Sequence, residues 1–231
     1  MQPPIIGILA GMGPRSTAPF VDLVVTECQR QYGATDDADF PPMMIYSLPT
    51  HFYVDRPIDH ARLHHEVLAG LQKLESTGVS FIAMPCNSTH IFFDELADAV
   101  HVPLLNMIEE TLTALPQHCQ RVAIAATPVT MDSGLYQNGV LTSGRQWVTT
   151  GEWQMSVNAI IQTVKTTQDM SLPRAMFQDL LRQTEQAGAD SLIIACTDLN
   201  PATANDAGPV HLVDATHILA AATVRHWLTL R

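Results

Sequence analysis

The chain has 231 residues, 46% of them hydrophobic, with 12 Lys and Arg against 23 Asp and Glu and a formal net charge of −11. That size buries a substantial core in one large domain or two small ones, and no uncharged apolar run approaches the roughly 18 to 20 residues that span a bilayer. So acidic a chain lacks the clustered Lys and Arg that grip a phosphate backbone, so nucleic acid is not an expected partner, and the start Met1-Gln-Pro-Pro-Ile-Ile-Gly has no basic region of the kind that opens a signal peptide.

In chain order, apolar runs predict strands near residues 5–10, 43–47, 79–85, 103–106, 122–126, 191–195 and 210–213. Helical patterns fall near 15–31, 60–76, 90–99, 107–115, 131–141, 154–165, 173–187 and 215–229. A Thr-, Gly- and Trp-rich stretch at 142–153 carries one more expected strand at Trp147-Val-Thr. Strands alternating with helices imply parallel sheets covered by helices on both faces. The first strand runs into Gly11-Met-Gly13, a turn of the kind nucleotide-binding folds use. Ser16 stands where the third glycine belongs and Pro14 occupies the turn, which makes nucleotide binding the weaker alternative. His60 and His64 have the spacing of a helical metal pair, but no ordered third ligand accompanies them, so they are taken as a solvated helix face and no metal is expected.

The segment Glu75-Ser-Thr-Gly-Val-Ser-Phe-Ile-Ala-Met-Pro-Cys86-Asn pairs position by position with Glu185-Gln-Ala-Gly-Ala-Asp-Ser-Leu-Ile-Ile-Ala-Cys196-Thr. Each reads as a helix end, a glycine cap, a buried strand and then a cysteine. The echo extends outward, from Ile6–Gly11 onto Val122–Thr127 and from Val102-Pro-Leu-Leu-Asn-Met onto Val210-His-Leu-Val-Asp-Ala. The chain is a duplicated α/β unit.

Four cysteines without a dense pattern fit free thiols in a reducing cytosol, so a cytoplasmic location is expected. Cys28 lies in a helical pattern and Cys119 in a polar connector, whereas Cys86 and Cys196 end buried strands. Ligands of open parallel sheets collect beyond the carboxyl ends of the strands. A pseudo-twofold relation between the halves would bring these two thiols to one cleft. A cysteine opening a helix feels that helix's unpaired N–H groups, which raise its thiolate fraction. Asn87-Ser88-Thr89 and Thr197-Asp198 follow directly, and offer donors suited to a substrate carboxylate. Inverting a stereocentre needs one acid/base group on each face of the carbon, and a pair of facing thiols supplies that. The expected chemistry is proton exchange at the α-carbon of a small carboxylate-bearing substrate.

The segments Gly11-Met-Gly-Pro14, Tyr46-Ser-Leu-Pro49 leading to Asp55-Arg56, Met84-Pro-Cys-Asn-Ser-Thr-His90, Met107-Ile-Glu-Glu-Thr111 and Ala195-Cys-Thr-Asp198 resemble the aspartate/glutamate racemase family over nearly the whole chain. The resemblance implies two pseudo-symmetric three-layer α/β domains with parallel four-stranded sheets and an active site in the interdomain cleft. It also implies homodimers and catalysis without pyridoxal phosphate or any other cofactor. The expected division is 1–101 plus 210–231 for the domain with Cys86, and 102–209 for the domain with Cys196. By resemblance Cys86 and Cys196 match the catalytic pair, and Asn87, Ser88, Thr127 and Thr197 match positions that bind the α-carboxylate or amino group. Met12 matches the pocket loop, and Arg56 and Lys165 the two cations for substrate carboxylates, which points to aspartate, glutamate or a similar amino acid.

Three departures bear on the substrate. Asp198 stands where the family usually has Glu, Ala195 where it has Gly, and Thr50-His-Phe-Tyr-Val54 replaces a shorter polar stretch, so that Phe52 and Tyr53 are expected to re-line the side-chain end of the pocket. A related two-domain enzyme of the hydantoin racemase, maleate isomerase or malonate decarboxylase type, and an inactive small-molecule-binding homologue, stay open as alternatives.

Overall fold

The computed structural model describes residues 3–53, 56–203, 208 and 210–231. Val54 and Asp55, singled out above in the loop before Arg56, lie outside the described residues. The chain divides into two compact units, Met1–Met107 with Thr216–Arg231, and Ile108–Ala215.

The first unit is built on a parallel sheet of β1 (Ile6–Ala10), β2 (Met43–Ser47) and β3 (Phe81–Ala83) in the order β2-β1-β3. The central strand β1 is buried at every residue, which is why Ile-Gly-Ile-Leu-Ala reads as an unbroken apolar run rather than an alternating one. Around it lie α1 (Thr17–Tyr32), α2 (His60–Glu75), α3 (Phe93–Asp98) and α9 (Ala215–Leu230). Helix α2 starts at Asp59, whose carboxylate accepts from the Arg62 amide, and it buries Leu63, Val67, Leu71 and Leu74 along one stripe. That stripe joins Leu9, Met12, Ile82, Met84 and Cys86 in one core cluster.

The second unit carries the parallel sheet β5-β4-β6-β7, from β4 (Arg121–Ala126), β5 (Gln146–Trp147), β6 (Ser191–Ala195) and β7 (His211–Asp214). Its helices are α4 (Met107–Thr113), α5 (Pro128–Asp132), α6 (Leu135–Thr142), α7 (Trp153–Thr166) and α8 (Ser171–Gln186). The strand expected at Trp147 is β5, two residues long, so it covers only the start of β4's edge. The rest of that edge is taken by α7. Trp153 Nε1 donates to the Ile124 carbonyl at 2.8 Å and Gln154 Nε2 to that of Ala126 at 3.0 Å, so buried peptide groups keep their partners.

Two expectations are corrected. The first sheet has three strands, and its expected fourth, at 103–106, is a single parallel bridge between Ile82 and Leu104. Pro103 has no N–H to extend the ladder, whereas His211, which the repeat aligns with it, donates to the Asp190 carbonyl at 2.8 Å and opens a full strand. The boundaries also move. Residues 102–107 belong to the first unit and 210–215 to the second, because Leu104 bridges to β3 while β7 pairs with β6. The chain therefore changes units just after the first residue of α4 and again just after the first residue of α9.

Glu27, on α1, is 1% exposed. Burial alone pushes its carboxyl up, but hydrogen bonds from Arg30, Gln31 and His217 outweigh burial and hold it down to about 2. Since His217 lies on α9 and Gln31 also reaches the Ala221 carbonyl, this cluster fastens the two helices together.

Two measurements follow from this packing. Gly11 has φ +95°, and a Cβ there would collide with the Leu48 amide and sit 2.8 Å from its carbonyl oxygen, while Gly33, at φ +74°, has nothing within 4 Å. Gly11→Ala should therefore cost about 2 to 3 kcal/mol in urea denaturation against about 1 kcal/mol for Gly33→Ala; equal losses would show that the contact with Leu48 is unimportant. For Glu27 the folded-state value lies below the ordinary 4.5, so its stabilisation is complete above that pH and fades as pH falls toward 2. Glu27→Gln should lose roughly 2 to 3 kcal/mol at pH 7, and the difference from wild type should shrink on acidification; a difference independent of pH would show that the charge is not the source.

Candidate active site

Beyond β3 and β6 the two units build the same local structure. Cys86 and Cys196 are extended, at φ −151°, ψ 106° and φ −152°, ψ 122°, and each is the N-cap of a six-residue 3-10 helix, Asn87–Phe92 or Thr197–Ala202. The preceding elements match too: α2 and α8 each end in a turn closed by a glycine amide, Gly78 onto the Glu75 carbonyl and Gly188 onto that of Glu185, both at positive φ. The thiols are 8% and 6% exposed, and both are reduced. The helices that follow them are short 3-10 turns, so the donors facing each cysteine are the first amides of a turn rather than the end of a long helix dipole.

On the neighbouring strands stand the other expected residues. In the second unit Ala126 pairs with Ala195, so Thr127 and Cys196 are the next residues on adjacent strands. Thr127 caps α5, its hydroxyl accepting from the Thr130 amide. In the first unit Ile8 pairs with Ala83, and the same register carried past the paired residues sets Gly11-Met12 level with Cys86-Asn87. Met12 packs in the same core cluster as Cys86. Asn87, Ser88 and Thr197 are all buried directly after the cysteines.

The Cys86 carbonyl accepts from Thr89 Oγ1 at 2.9 Å and from His90 Nδ1 at 2.8 Å, and the Met107 amide donates to His90 Nε2 at 3.0 Å. A ring that donates from Nδ1 and accepts at Nε2 is the neutral Nδ1–H tautomer. Burial drives its pKa down, partly opposed by the carbonyls of Cys86 and Leu105, so His90 holds the backbone of Cys86 without carrying charge.

The two cations are already engaged. Lys165, in the last turn of α7, lies 3.2 Å from the Asp198 carboxylate, with side chains 33% and 11% exposed. Arg56 is exposed, and its guanidinium sits 4.4 Å from the Tyr53 ring centroid. Phe52 packs against the core of the first unit. The loop is tied to α2 by His51, whose amide and Nδ1 meet Glu66 at 3.0 and 2.6 Å. The sequence motifs contain His90 and Asp198 without indicating a contact for either; the opposite charges at 165 and 198 are a signal for one, and nothing local marks the other. Among the described residues no three His, Cys, Asp or Glu side chains converge to hold a metal ion, and no helix is long and apolar enough to cross a membrane.

A family model for Asp/Glu/Hydantoin racemases matches residues 9–223. The chain belongs to that family. It is 42% identical over 224 residues to the broad specificity amino-acid racemase RacX of Bacillus subtilis (strain 168), covering 97% of this chain and 98% of that one. Among solved structures it is similar to aspartate racemase of Picrophilus torridus, with a TM-score of 0.84, 25% identity, and 97% and 94% of the two chains covered. It also shares the fold of an aspartate racemase homologue from Pyrococcus horikoshii OT3, with a TM-score of 0.77, 22% identity and 99% and 100% coverage. The family's isomerase chemistry thus belongs with the two-unit parallel α/β fold described above.

The Lys165–Asp198 pair has a direct test. Lys165→Met leaves a mostly buried carboxylate without this cation and should cost about 1 to 2 kcal/mol of the unfolding free energy, and adding Asp198→Asn should restore at least half of it. Strictly additive losses in the double variant would mean the two groups do not interact.

Proposed function

We propose that the protein is an amino-acid racemase that works without a cofactor, with Cys86 and Cys196 as its two acid/base groups. The observation that carries this reading is the repetition of one corner, an extended cysteine at a strand's carboxyl end followed by a buried hydroxyl- and amide-bearing turn, once in each unit. A single reactive thiol needs no such duplicate. Removal of a proton from one face of an α-carbon and return of a proton to the other needs two matched groups.

In the proposed step one cysteine is a thiolate and the other a thiol. The thiolate takes the α-proton, the electron pair is held by the substrate's α-carboxylate group as an enediolate, and the opposite thiol delivers its proton to the other face of the carbon. The product is the mirror-image amino acid, and the enzyme is left with its two protonation states exchanged, ready for the reverse direction. Asn87, Ser88, Thr127 and Thr197 are the proposed donors to the α-carboxylate and amino group, because hydrogen bonds to the carboxylate strengthen as charge builds on it.

The side-chain range is proposed to be wide rather than confined to aspartate and glutamate. Support comes from Lys165 being paired with Asp198 and Arg56 being stacked on Tyr53, since a dedicated receptor for a second carboxylate presents its cation to the substrate. The broad-specificity label of the Bacillus subtilis relative points the same way.

Incubation with L- and D-amino acids in D₂O, followed by loss of the α-proton signal, tests both parts. Alanine and serine are expected to exchange within about tenfold of aspartate, a discrimination no greater than a side-chain contact of about 1.4 kcal/mol provides. Each of Cys86→Ser and Cys196→Ser should lower racemisation by orders of magnitude, because serine is a poor base at neutral pH. Each variant should keep exchange without inversion for one enantiomer only, and the two variants should prefer opposite enantiomers. One variant near wild type would reduce the chemistry to a single thiol and sink the two-base reading.

A further inference from the structure

We infer that His90 and Asn200 are matched positioning residues, each fastening the short helix that begins at a cysteine to the junction where the chain leaves one unit for the other. His90 is the fourth residue of Asn87–Phe92, and Asn200 the fourth of Thr197–Ala202. His90 joins the Cys86 carbonyl to the amide of Met107, and Met107 is both the first residue of α4 and the last of its unit. Asn200 Nδ2 donates to the Asp214 carboxylate at 2.5 Å. Asp214 ends β7, and the next residue, Ala215, is the first of α9 and the last of its unit.

The repeat aligns Asn106-Met107 with Asp214-Ala215, so the two links fall within one residue of the same place. Their chemistry differs: a backbone amide onto an imidazole in one half, a carboxamide onto a carboxylate in the other. The same link made by unlike groups points to the link as the common requirement, not to the acid/base character of either group. The His90 side chain is held tightly in place. The His90 ring is 2% exposed and stacks on Phe93 with centroids 5.7 Å apart and planes 8° from parallel. On the Asn200 side the Cys196 carbonyl accepts from the Leu199 amide at 3.0 Å, inside the same short helix.

The consequence is that each thiol is placed by the crossover nearest to it. Proton transfer tolerates little displacement, and an error of about 1 Å in a reacting group costs as much as 100-fold in rate. A link between cysteine and crossover therefore sets the rate of that cysteine's own half-reaction and leaves the other alone. The kinetic half of this claim rests on the two-thiol function proposed above; the structural half does not.

The test uses the full chain with His90→Asn, which keeps a donor for the Cys86 carbonyl and is too short for Met107, and Asn200→Ser, which releases Asp214. Iodoacetamide labelling resolved by mass spectrometry reads all four cysteines, with Cys28 and Cys119, both 0% exposed, as internal controls. His90→Asn should speed Cys86 labelling by about fivefold or more through local opening and leave Cys196, Cys28 and Cys119 within about twofold. Asn200→Ser should do the same to Cys196 alone. With amino-acid substrate, kcat should fall with KM little changed, and the α-deuterium isotope effect should rise in one direction of racemisation for one variant and in the opposite direction for the other. Parallel acceleration at all four cysteines, or no change at the neighbouring thiol, would overturn the assignment, and either variant alone decides it. A wild-type enzyme that exchanges no amino-acid α-proton would instead end the racemase reading, with the labelling pattern still deciding the positioning role.

Discussion

A buried parallel strand must hand its backbone hydrogen bonds to something else where it ends, and both units are arranged around that requirement. At the end of β3 the carbonyl of Cys86 is taken by Thr89 and His90; at the end of β6 the carbonyl of Cys196 is taken by the amide of Leu199. Along β4, beyond the short β5, the side chains of Trp153 and Gln154 serve. An unpaired peptide group at any of these places costs about 1 to 3 kcal/mol. The solutions are therefore tight turns with few conformations, and a cysteine at such a corner has a fixed backbone from which to present its sulfur.

Much of this was legible in the sequence because the repeat doubles every local signal. Glycine at 78 and 188, the apolar runs before each cysteine and the polar pair after it each carry one meaning alone and a stronger one together. The burial of β1 and β6 on both faces is written in their unbroken apolar composition. Even the two-residue β5 lies where Trp147 suggested it.

What escaped the sequence is long-range. Pro103 is a local hint that its segment cannot extend a full ladder, but how far the pairing runs depends on where Ile82 places its own donor and acceptor, and the contrast with His211 becomes plain only once β7 is seen beside β6. The expected division puts the 102–107 and 210–215 segments on the wrong side of each crossover for the same reason. At the candidate site, the family resemblance marks Lys165 and Arg56 as cations but says nothing of their partners. Asp198 and Tyr53 change the meaning of both cations, and each pairing is a fact of side-chain geometry.

The discontinuity of the first unit also bears on how each core is completed. Residues 108–215 form one unbroken stretch with all four strands of their sheet, so this unit needs nothing from the last helix to complete its core. The first unit does need it: Trp227 donates to the Pro4 carbonyl at 2.9 Å, and His217 meets the buried carboxylate of Glu27. A carboxylate is costly to bury without its hydrogen-bond partners, so the burial of Glu27 on α1 depends in part on His217, which only α9 supplies. The two ends of the chain thus close the first unit together, while the second is complete within a single continuous segment.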